Sequence, residues 1–296
     1  MLTQLRFAQD LEIFQKEVPY EIFGHPTPTS DRITNCKFET IGGVEIQDVR
    51  DVAQDYSLNT TGFAFMHHES KCRLNPKDFE KAGNSLENNP AVLAYLEENI
   101  ELIRDLVGGE KVICCDWRFR RAGAPPSVVP DGLDHTFDLR FKAVAPGYDI
   151  HCDFSHRGGW ERLELHLLPE ELEAVRSGKL TAKIINTWRP FNVVKNAPLI
   201  LTDRRTILQD DLMEVERVLP DQIQRAYYLK HQPYHRYFYM SDQGPDEVAL
   251  FTSWDLKKGH QTAEISPHGA ASFWDVNYLD HPRESIEVRL IVLSEA

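Results

Sequence analysis

The chain lacks an excess of basic residues. Its 33 Lys and Arg side chains are outnumbered by 46 Asp and Glu side chains, which leaves a net charge of −13 at pH 7. A protein that binds nucleic acid or an anionic membrane surface needs clustered cations to neutralise phosphate groups. We therefore expect neither of these partners.

Long apolar runs are also absent. No stretch approaches the roughly 18 consecutive apolar residues of a membrane-spanning helix. The N-terminal segment MLTQLRFAQDLEIFQK carries acidic residues and has no apolar core of the kind found in signal peptides. Together these absences predict a cytoplasmic protein.

Several catalytic and structural motifs are missing as well. The five cysteines are odd in number and form no C-x2-C pair, so we expect reduced, packed side chains and no structural zinc site. The chain has no G-x-S-x-G, no Walker loop and no G-x-G-x-x-G. Serine hydrolases, nucleotide hydrolases and dinucleotide-dependent enzymes therefore lack their minimum sequence signals here.

Few helices are predicted. The clearest is Pro90 to Val107, where Asn89 can cap the helix, apolar residues recur at intervals of three and four, and Gly108 ends the pattern. Shorter helices are predicted for Pro169 to Arg176 and for Gln209 to Val218, the latter because Pro220 would stop it.

Most of the remaining chain has the pattern of β-strands. Eight segments are rich in β-branched or aromatic residues and are bounded by turn formers: Lys111 to Arg120, Tyr148 to Phe154, Ala182 to Trp188, Leu199 to Thr202, Arg225 to Lys230, Tyr234 to Met240, Glu247 to Trp254 and Ser285 to Leu293. Many strands with few helices between them indicate an antiparallel double sheet rather than βαβ winding.

The predicted fold is therefore mainly β with flanking helices around a double-stranded β-helix core, the jelly-roll or cupin-like arrangement. We expect a single domain over residues 1–296. Residues 1–110 would form an N-terminal extension whose helices pack on the barrel, and residues 111–296 would form the jelly-roll core. The run GAPPSVVPDG (Gly123 to Gly132) is predicted to be a loop at the mouth of the barrel or at this boundary.

The stretch IHCDFS holds a candidate for half of a metal site. His151 and Asp153 lie two positions apart in a predicted strand, so both side chains would leave the same face of a sheet. A chain with 12 His and many acidic residues can carry such a pair by chance. His67-His68-Glu69 also offers a His-x-Glu pair, although we expect its histidines to be surface or packing residues.

A third ligand and an anion receptor follow in the C-terminal third. Two His and one carboxylate on one face of an iron ion leave three positions for a co-substrate and O2, and His268 in EISPHGAASF can supply the second imidazole. Arg283 and Ser285 share one face of a predicted strand and could bind a carboxylate, such as that of 2-oxoglutarate. Alternatively, they belong to a solvated strand face opposite Ile286 and Val288.

Several segments resemble, in order and spacing, the fungal and bacterial hydroxylase/desaturase family, which includes gibberellin desaturase and the cephamycin methoxylation component. The segments are DYSLNTTGFAF, VICCDWRFRR, TAKIINTWRPFNVVKNAPLILTDRRTI, HRYFYMSDQGPDEVALFTSWD, SPHGAASF and PRESIEVRLIV. The resemblance covers most of the chain from about residue 38. One departure is Ser253, because relatives often carry a Lys before the aromatic-Asp pair that is Trp254-Asp255 here.

The resemblance implies an oxidoreductase of the 2-oxoglutarate/Fe(II) oxygenases, non-haem enzymes with a double-stranded β-helix core that oxidise an unactivated C–H bond of a small molecule with O2. Its iron ligands would be His151, Asp153 and His268. Its 2-oxoglutarate anchor would be Arg283 with Ser285. The Trp188-Arg189-Pro190 block is a hallmark of the resemblance, and Arg189 either binds a carboxylate in the pocket or buttresses the strand.

Three aromatic residues are candidates for an apolar substrate pocket: Phe154, Trp254 and Phe273. Each could equally be part of the core. Two other functions stay open from the residues alone, a zinc hydrolase with the same three ligands and a metal-bound water, and a non-catalytic jelly-roll binding protein whose histidines do not converge. The sequence does not fix the substrate or the oligomeric state, and a homodimer is compatible with it.

Overall fold

The computed structural model describes residues 1–23, 33–80, 85–125, 139–219, 222–257, 264–271 and 281–296. Within them it has three α-helices, α1 (Pro90–Val107), α2 (His156–His166) and α3 (Pro169–Arg176). The described strands are β1 (Leu2–Ala8), β2 (Tyr20–Ile22), β3 (Phe38–Asp48), β4 (Phe63–His67), β5 (Lys111–Arg121), β6 (His151–Cys152), β7 (Leu180–Pro190), β8 (Leu199–Thr202), β9 (Leu212–Val218), β10 (Ile223–Leu229), β11 (Tyr237–Tyr239), β12 (Glu247–Asp255), β13 (His268–Ala270) and β14 (Glu284–Glu295).

The strands form two sheets, which confirms the predicted jelly-roll architecture. The larger sheet has nine strands in the order β1-β3-β11-β8-β13-β6-β10-β9-β2, and the smaller has five in the order β4-β12-β7-β14-β5. Every pairing in the five-stranded sheet is antiparallel. Sheet neighbours such as β7 and β14 are far apart in the chain, so the sheets bring distant side chains together.

Helix α1 covers the outer face of the five-stranded sheet. Its N-terminus is capped by Asn89, whose side chain accepts a hydrogen bond from the Val92 amide at 3.2 Å, and Gly108 ends it in the left-handed conformation at φ 68°. The buried residues of α1 pack against alternate residues of β14, and this cluster includes Val92, Tyr95, Leu96, Ile103, Ile286, Val288, Leu290 and Val292. The apolar stripe that predicted the helix is therefore the surface that buries this face of the sheet.

The opposite face of β14 is charged and equally buried. Arg283 immediately precedes the strand, and its residues Ser285, Glu287 and Arg289 follow with the same parity; these four side chains are 2%, 0%, 4% and 6% exposed. The alternative of a solvated strand face is therefore wrong. The residues line the interior between the two sheets because the other side of the strand is already occupied by α1.

Three predictions of secondary structure need correction. The helix predicted for Gln209 to Val218 is a single 3-10 turn followed by β9, which pairs with β10 along its whole length. No helix is predicted between Asp153 and Pro169, where the structure has helix α2. The first 110 residues contribute β1 to β4 as well as α1; β1, β2 and β3 extend the nine-stranded sheet, and β4 forms an edge of the five-stranded one.

None of the helices in the described ranges is both long and apolar enough to cross a bilayer. All five cysteines are free thiols, and Cys36, Cys115 and Cys152 are buried. Burial raises the pKa of the Cys36 thiol to about 11, as expected for an inert packing residue. Most of the predicted Gly123 to Gly132 loop lies outside the described residues.

Candidate metal centre

Strands β6 and β13 bring two distant histidines together. The two strands are antiparallel neighbours in the nine-stranded sheet, and His268 is directly opposite His151 in their register. The two ring centroids are 4.7 Å apart. Both residues are buried, at 7% and 3% exposure, so they face the interior between the sheets.

Asp153 completes the group immediately after β6. One carboxylate oxygen, Oδ1, lies 3.9 Å from Nε2 of His151, and the other, Oδ2, lies 3.8 Å from Nε2 of His268. One ligand atom from each of the three residues lies within 4.8 Å of the others. The structure thus brings together all three predicted ligands, with a donor set of two imidazoles and one carboxylate that suits a non-haem Fe(II) site.

The hydrogen bonds of the two imidazoles fit this use. Nδ1 of His151 lies 2.7 Å from the carbonyl oxygen of Asp149, and Nδ1 of His268 lies 3.3 Å from that of Ser266. A carbonyl can only accept, so each Nδ1 carries the proton and each Nε2 presents a lone pair. Nε2 of His268 is buried and has no hydrogen-bond partner among the described residues. Burial lowers the pKa of both rings, which keeps them neutral and able to bind a metal.

The carboxylate of Asp153 is held by two donors from the five-stranded sheet. Nη2 of Arg289 donates to its Oδ1 at 2.8 Å, and Nδ2 of Asn186 donates to its Oδ2 at 2.7 Å. Burial opposes ionisation of this group, but the charge of Arg289 and its hydrogen bond outweigh burial and hold the pKa of Asp153 well below the usual range. Asp153 is therefore an anion at neutral pH.

Arg283 and Ser285 present unpaired polar atoms on the same inner face. Nη1 of Arg283 donates to the Ala197 carbonyl at 2.6 Å, and its guanidinium carbon lies 5.2 Å from the centroid of the Trp188 ring. Nε of Arg283 and Oγ of Ser285 are buried without a hydrogen-bond partner in the part of the chain that the structure describes. Burial and the nearby charge of Arg120 lower the pKa of Arg283 to about 9, which indicates a pocket that favours an anion.

Arg189 is not brought to this site. It alternates with Asn186 and Trp188 on β7 and faces α1, where its Nε donates to the Tyr95 hydroxyl at 3.3 Å. Its Nη1 donates to the carbonyls of His68 and Pro245 at 2.7 Å, and its Nη2 donates to Nδ1 of His68 at 2.7 Å. These contacts favour the alternative in which Arg189 buttresses the strand, and they give His68 a packing role.

Two of the three predicted pocket aromatics, Phe154 and Trp254, lie in a core cluster. Phe154 and Trp254 pack with Leu163, Ile184 and other apolar residues, and Nε1 of Trp254 donates to the His156 carbonyl at 3.0 Å. Phe273 lies outside the described residues. The aromatic ring against the metal site is instead Phe251, whose centroid lies 4.4 Å from that of His268.

Sequence reasoning missed the residues that support Asp153. Asn186 on β7 and Glu287 and Arg289 on β14 are buried polar residues within strands of strong β pattern. The alternation of polar residues along β14 was a usable signal, since Glu287 and Arg289 lie on the same strand face as the predicted anchor residues Arg283 and Ser285. The sequence could not say which of the two strand faces was solvated, because both are in fact buried.

Comparisons with known proteins identify the family of this chain. A family model described as YDMC, oxidoreductase/YMDC permease-like domain, matches residues 5–293. The hydroxylase/desaturase CTB9 of Cercospora beticola is 29% identical over 269 residues, which cover 88% of this chain and 78% of that protein. The alpha-ketoglutarate-dependent dioxygenase phiK of a fungal species is 29% identical over 253 residues, covering 84% of this chain and 83% of that protein.

A solved structure of the iron and alpha-ketoglutarate-dependent endoperoxidase NvfI is similar along the whole chain. Its TM-score is 0.78 at 24% identity, with 100% of this chain and 98% of that chain covered, which shows the shared fold. The family model spans nearly the entire sequence, and the relatives carry the names that the sequence blocks predicted. The chain therefore belongs to this oxidoreductase family, the hydroxylase/desaturases of the iron- and 2-oxoglutarate-dependent oxygenases.

Proposed function

We propose that this chain is an iron- and 2-oxoglutarate-dependent dioxygenase that oxidises an unactivated C–H bond of a small molecule in secondary metabolism. The outcome at carbon would be hydroxylation, desaturation or oxidative cyclisation. One observation carries the proposal. Three buried metal-ligand atoms within 4.8 Å of one another face a sheet whose inner surface also holds a buried, unpaired guanidinium nitrogen and hydroxyl.

His151, Asp153 and His268 would hold the iron. Two neutral imidazoles and one carboxylate would leave coordination positions of the metal open for the co-substrate and O2. When bound, Fe(II) and 2-oxoglutarate supply the oxidant that removes hydrogen from carbon. The protein's own task is to fix the three ligands, keep water out of the buried site and hold one C–H bond in reach. Phe251 contributes an apolar wall beside His268.

Arg283 and Ser285 would anchor the distal carboxylate of 2-oxoglutarate. A guanidinium can donate parallel hydrogen bonds to a carboxylate, and a serine hydroxyl adds a third donor. Leaving such groups unpaired inside a protein costs about 1–3 kcal/mol each, and more when the group is charged. A bound carboxylate would remove that cost, which supports this assignment.

The two alternative functions are less well supported. A zinc hydrolase would use the same ligands but needs no buried receptor for a carboxylate. A non-catalytic binding protein would not require His151 and His268 to converge, whereas their ring centroids lie 4.7 Å apart.

The five free thiols support a reducing, cytoplasmic location for the enzyme.

Anaerobic titration tests the proposal. Metal-free protein given Fe(II) and then 2-oxoglutarate should develop a metal-to-ligand charge-transfer band in the visible range, and a His268→Ala variant should not. Activity on an ester or amide that persists without O2 and 2-oxoglutarate, together with the absence of the band, would select the zinc hydrolase instead.

A further inference from the structure

Two β-bulges interrupt the five-stranded sheet beside Asp153. Between β12 and β7 the register steps from Thr252 opposite Ile185 to Trp254 opposite Ile184, which leaves Ser253 as the extra residue. Between β14 and β5 it steps from Arg289 opposite Asp116 to Leu290 opposite Cys114, which leaves Cys115 as the extra residue. Bulges disrupt the ladder locally and often re-aim a side chain next to a functional site.

The first bulge aims a hydroxyl at Asn186. Oγ of Ser253 donates to Oδ1 of Asn186 at 2.8 Å, which orients the amide with its nitrogen toward the metal ligands. That nitrogen donates to Oδ2 of Asp153 at 2.7 Å and to Oε1 of Glu287 at 2.6 Å. Ser253 and Asn186 are both 0% exposed, so no solvent competes for these bonds.

The second bulge lies beside a rung of polar residues across three strands. Arg289 on β14 pairs with Asp116 on β5 and with Asn186 on β7. Its guanidinium donates to Oδ2 of Asp116 and Oδ1 of Asp153, each at 2.8 Å, and lies 3.0 Å from Oε1 of Glu287. One buried cation thus stands among two buried carboxylates, those of Asp153 and Glu287, and the partly buried carboxylate of Asp116. Such a buried group of charges is stable only when close ion pairs and hydrogen bonds compensate for the loss of water.

We propose that Asn186 and Arg289 are positioning residues for Asp153. We call these two residues, together with Ser253 and Glu287, the carboxylate cradle. Arg289 holds Oδ1 of Asp153 and Asn186 holds Oδ2, so the carboxylate keeps its orientation toward Nε2 of His151 and of His268 before a metal binds. The inference rests on the proposed function, since it assumes that Asp153 is a metal ligand.

The cradle explains why buried charge is concentrated at one end of β14. Further along the same face, Ile291 and Leu293 pack in an apolar cluster with Phe154 and Trp254. An apolar cluster would serve folding equally well beside Asp153, because a buried ion pair is seldom more stabilising than apolar packing. A carboxylate that must keep one orientation needs hydrogen-bond donors, and outer partners of this kind typically contribute 10–100-fold to metal affinity.

Thr187 provides a matched control. It follows Asn186 on β7 but faces α1, is 1% exposed, and donates one hydrogen bond to Oδ1 of Asn99 at 2.6 Å. Thr187→Ala therefore removes one buried hydrogen bond from the same strand without touching the cradle. Its effect measures what a purely structural loss does to the protein.

Co(II) binding to the metal-free protein tests the inference, with the visible ligand-field spectrum and the dissociation constant as readouts. We expect Asn186→Ala to raise the Co(II) dissociation constant about 10–100-fold and to change the spectrum. Ser253→Ala, which removes only the bond that orients Asn186, should raise it several-fold. Thr187→Ala should lower the melting temperature but leave the dissociation constant and the spectrum unchanged.

An unchanged dissociation constant and spectrum in both cradle variants would overturn the inference, as would an equal loss of affinity in Thr187→Ala. If Asn186→Ala does not fold, Ser253→Ala decides alone. Failure of the proposed function has different signatures. A protein without a metal site would bind no Co(II) in a way that His268→Ala abolishes, and a zinc hydrolase would bind Co(II) but develop no charge-transfer band with Fe(II) and 2-oxoglutarate.

Discussion

The two faces of strand β14 are both buried, but one is apolar and the other is charged. One face carries Ile286, Val288 and Leu290 and is buried against α1. The other carries Ser285, Glu287 and Arg289 and is buried toward the metal ligands. Alternation along one strand therefore separates two tasks. Apolar burial on the outer face stabilises the sheet and compensates for the unfavourable burial of charge on the inner face.

Two arginines show the same contrast. The guanidinium of Arg189 on the outer face donates to His68, Pro245 and Tyr95, so its hydrogen-bonding capacity is used within the protein. The guanidinium of Arg283 on the inner side donates to the carbonyl of Ala197, and its buried Nε has no partner among the described residues. The donors of Arg189 are therefore used to hold the fold together, whereas Arg283 keeps a buried donor on the same inner face as the unpaired hydroxyl of Ser285, where a ligand could accept from both.

The largest effect is expected from Asp153→Ala. Removing the only anionic ligand should abolish turnover and Co(II) binding, while Arg289 keeps Asp116 and Glu287 as partners and the protein stays folded. Asp211→Asn is a matched control because Asp211 is also buried and lies 3.0 Å from a histidine, His235, outside the metal centre. Co(II) titration of both variants checks the prediction, and retained binding in Asp153→Ala would contradict the ligand assignment.

Leu290→Ala should affect stability alone. Leu290 is 0% exposed in the cluster beneath α1, so the truncation leaves a cavity and should lower the free energy of unfolding by about 2–5 kcal/mol. Urea denaturation measures that loss. The Co(II) dissociation constant should stay within error of the wild type, and a large shift would mean that the two faces of β14 are not independent.

Arg283→Lys should weaken co-substrate binding without affecting metal binding. Lysine keeps the charge but cannot donate parallel hydrogen bonds, so the 2-oxoglutarate concentration needed for half-saturation should rise about tenfold. Arg189→Lys makes the same substitution on the outer face, where the expected result is lower stability and an unchanged 2-oxoglutarate requirement. Titration of the charge-transfer band in both variants measures this, and equal shifts would remove the distinction between the two arginines.

The fold class and helix α1 were predictable because they depend on local periodicity and residue type, whereas the set of three candidate ligands was implied by the resemblance to a known family. Prediction from the sequence failed where long-range pairing decides the structure. Residues Leu212 to Val218 have apolar spacing compatible with a helix, but pairing with β10 makes them a strand. Local propensity is a weak guide when a neighbouring strand is available to satisfy the backbone.

The support for Asp153 could not be predicted for a related reason. The supporting residues come from three strands: Asn186, Ser253 and Arg289. Their contacts depend on strand register and on two bulges, which local sequence patterns do not predict. Their residue types are ordinary for a solvated strand face. The polar positions of β14 are interior because α1 covers the other face of the strand, and only the packing of α1 reveals this.

The smallest expected effect concerns His68 and pH. Burial and the charge of Arg189 lower the pKa of His68 below 6.5, so the unfolded chain takes up a proton on this ring before the folded protein does. Stability should therefore fall as the pH drops through 6.5, by no more than about 1 kcal/mol because the ring is partly exposed and screened. His68→Gln keeps a neutral acceptor and should lose this dependence. Urea midpoints at pH 7.5 and pH 5 for both proteins measure the difference, and identical pH profiles would show that the Arg189 contact with His68 does not contribute to the stability of the outer face.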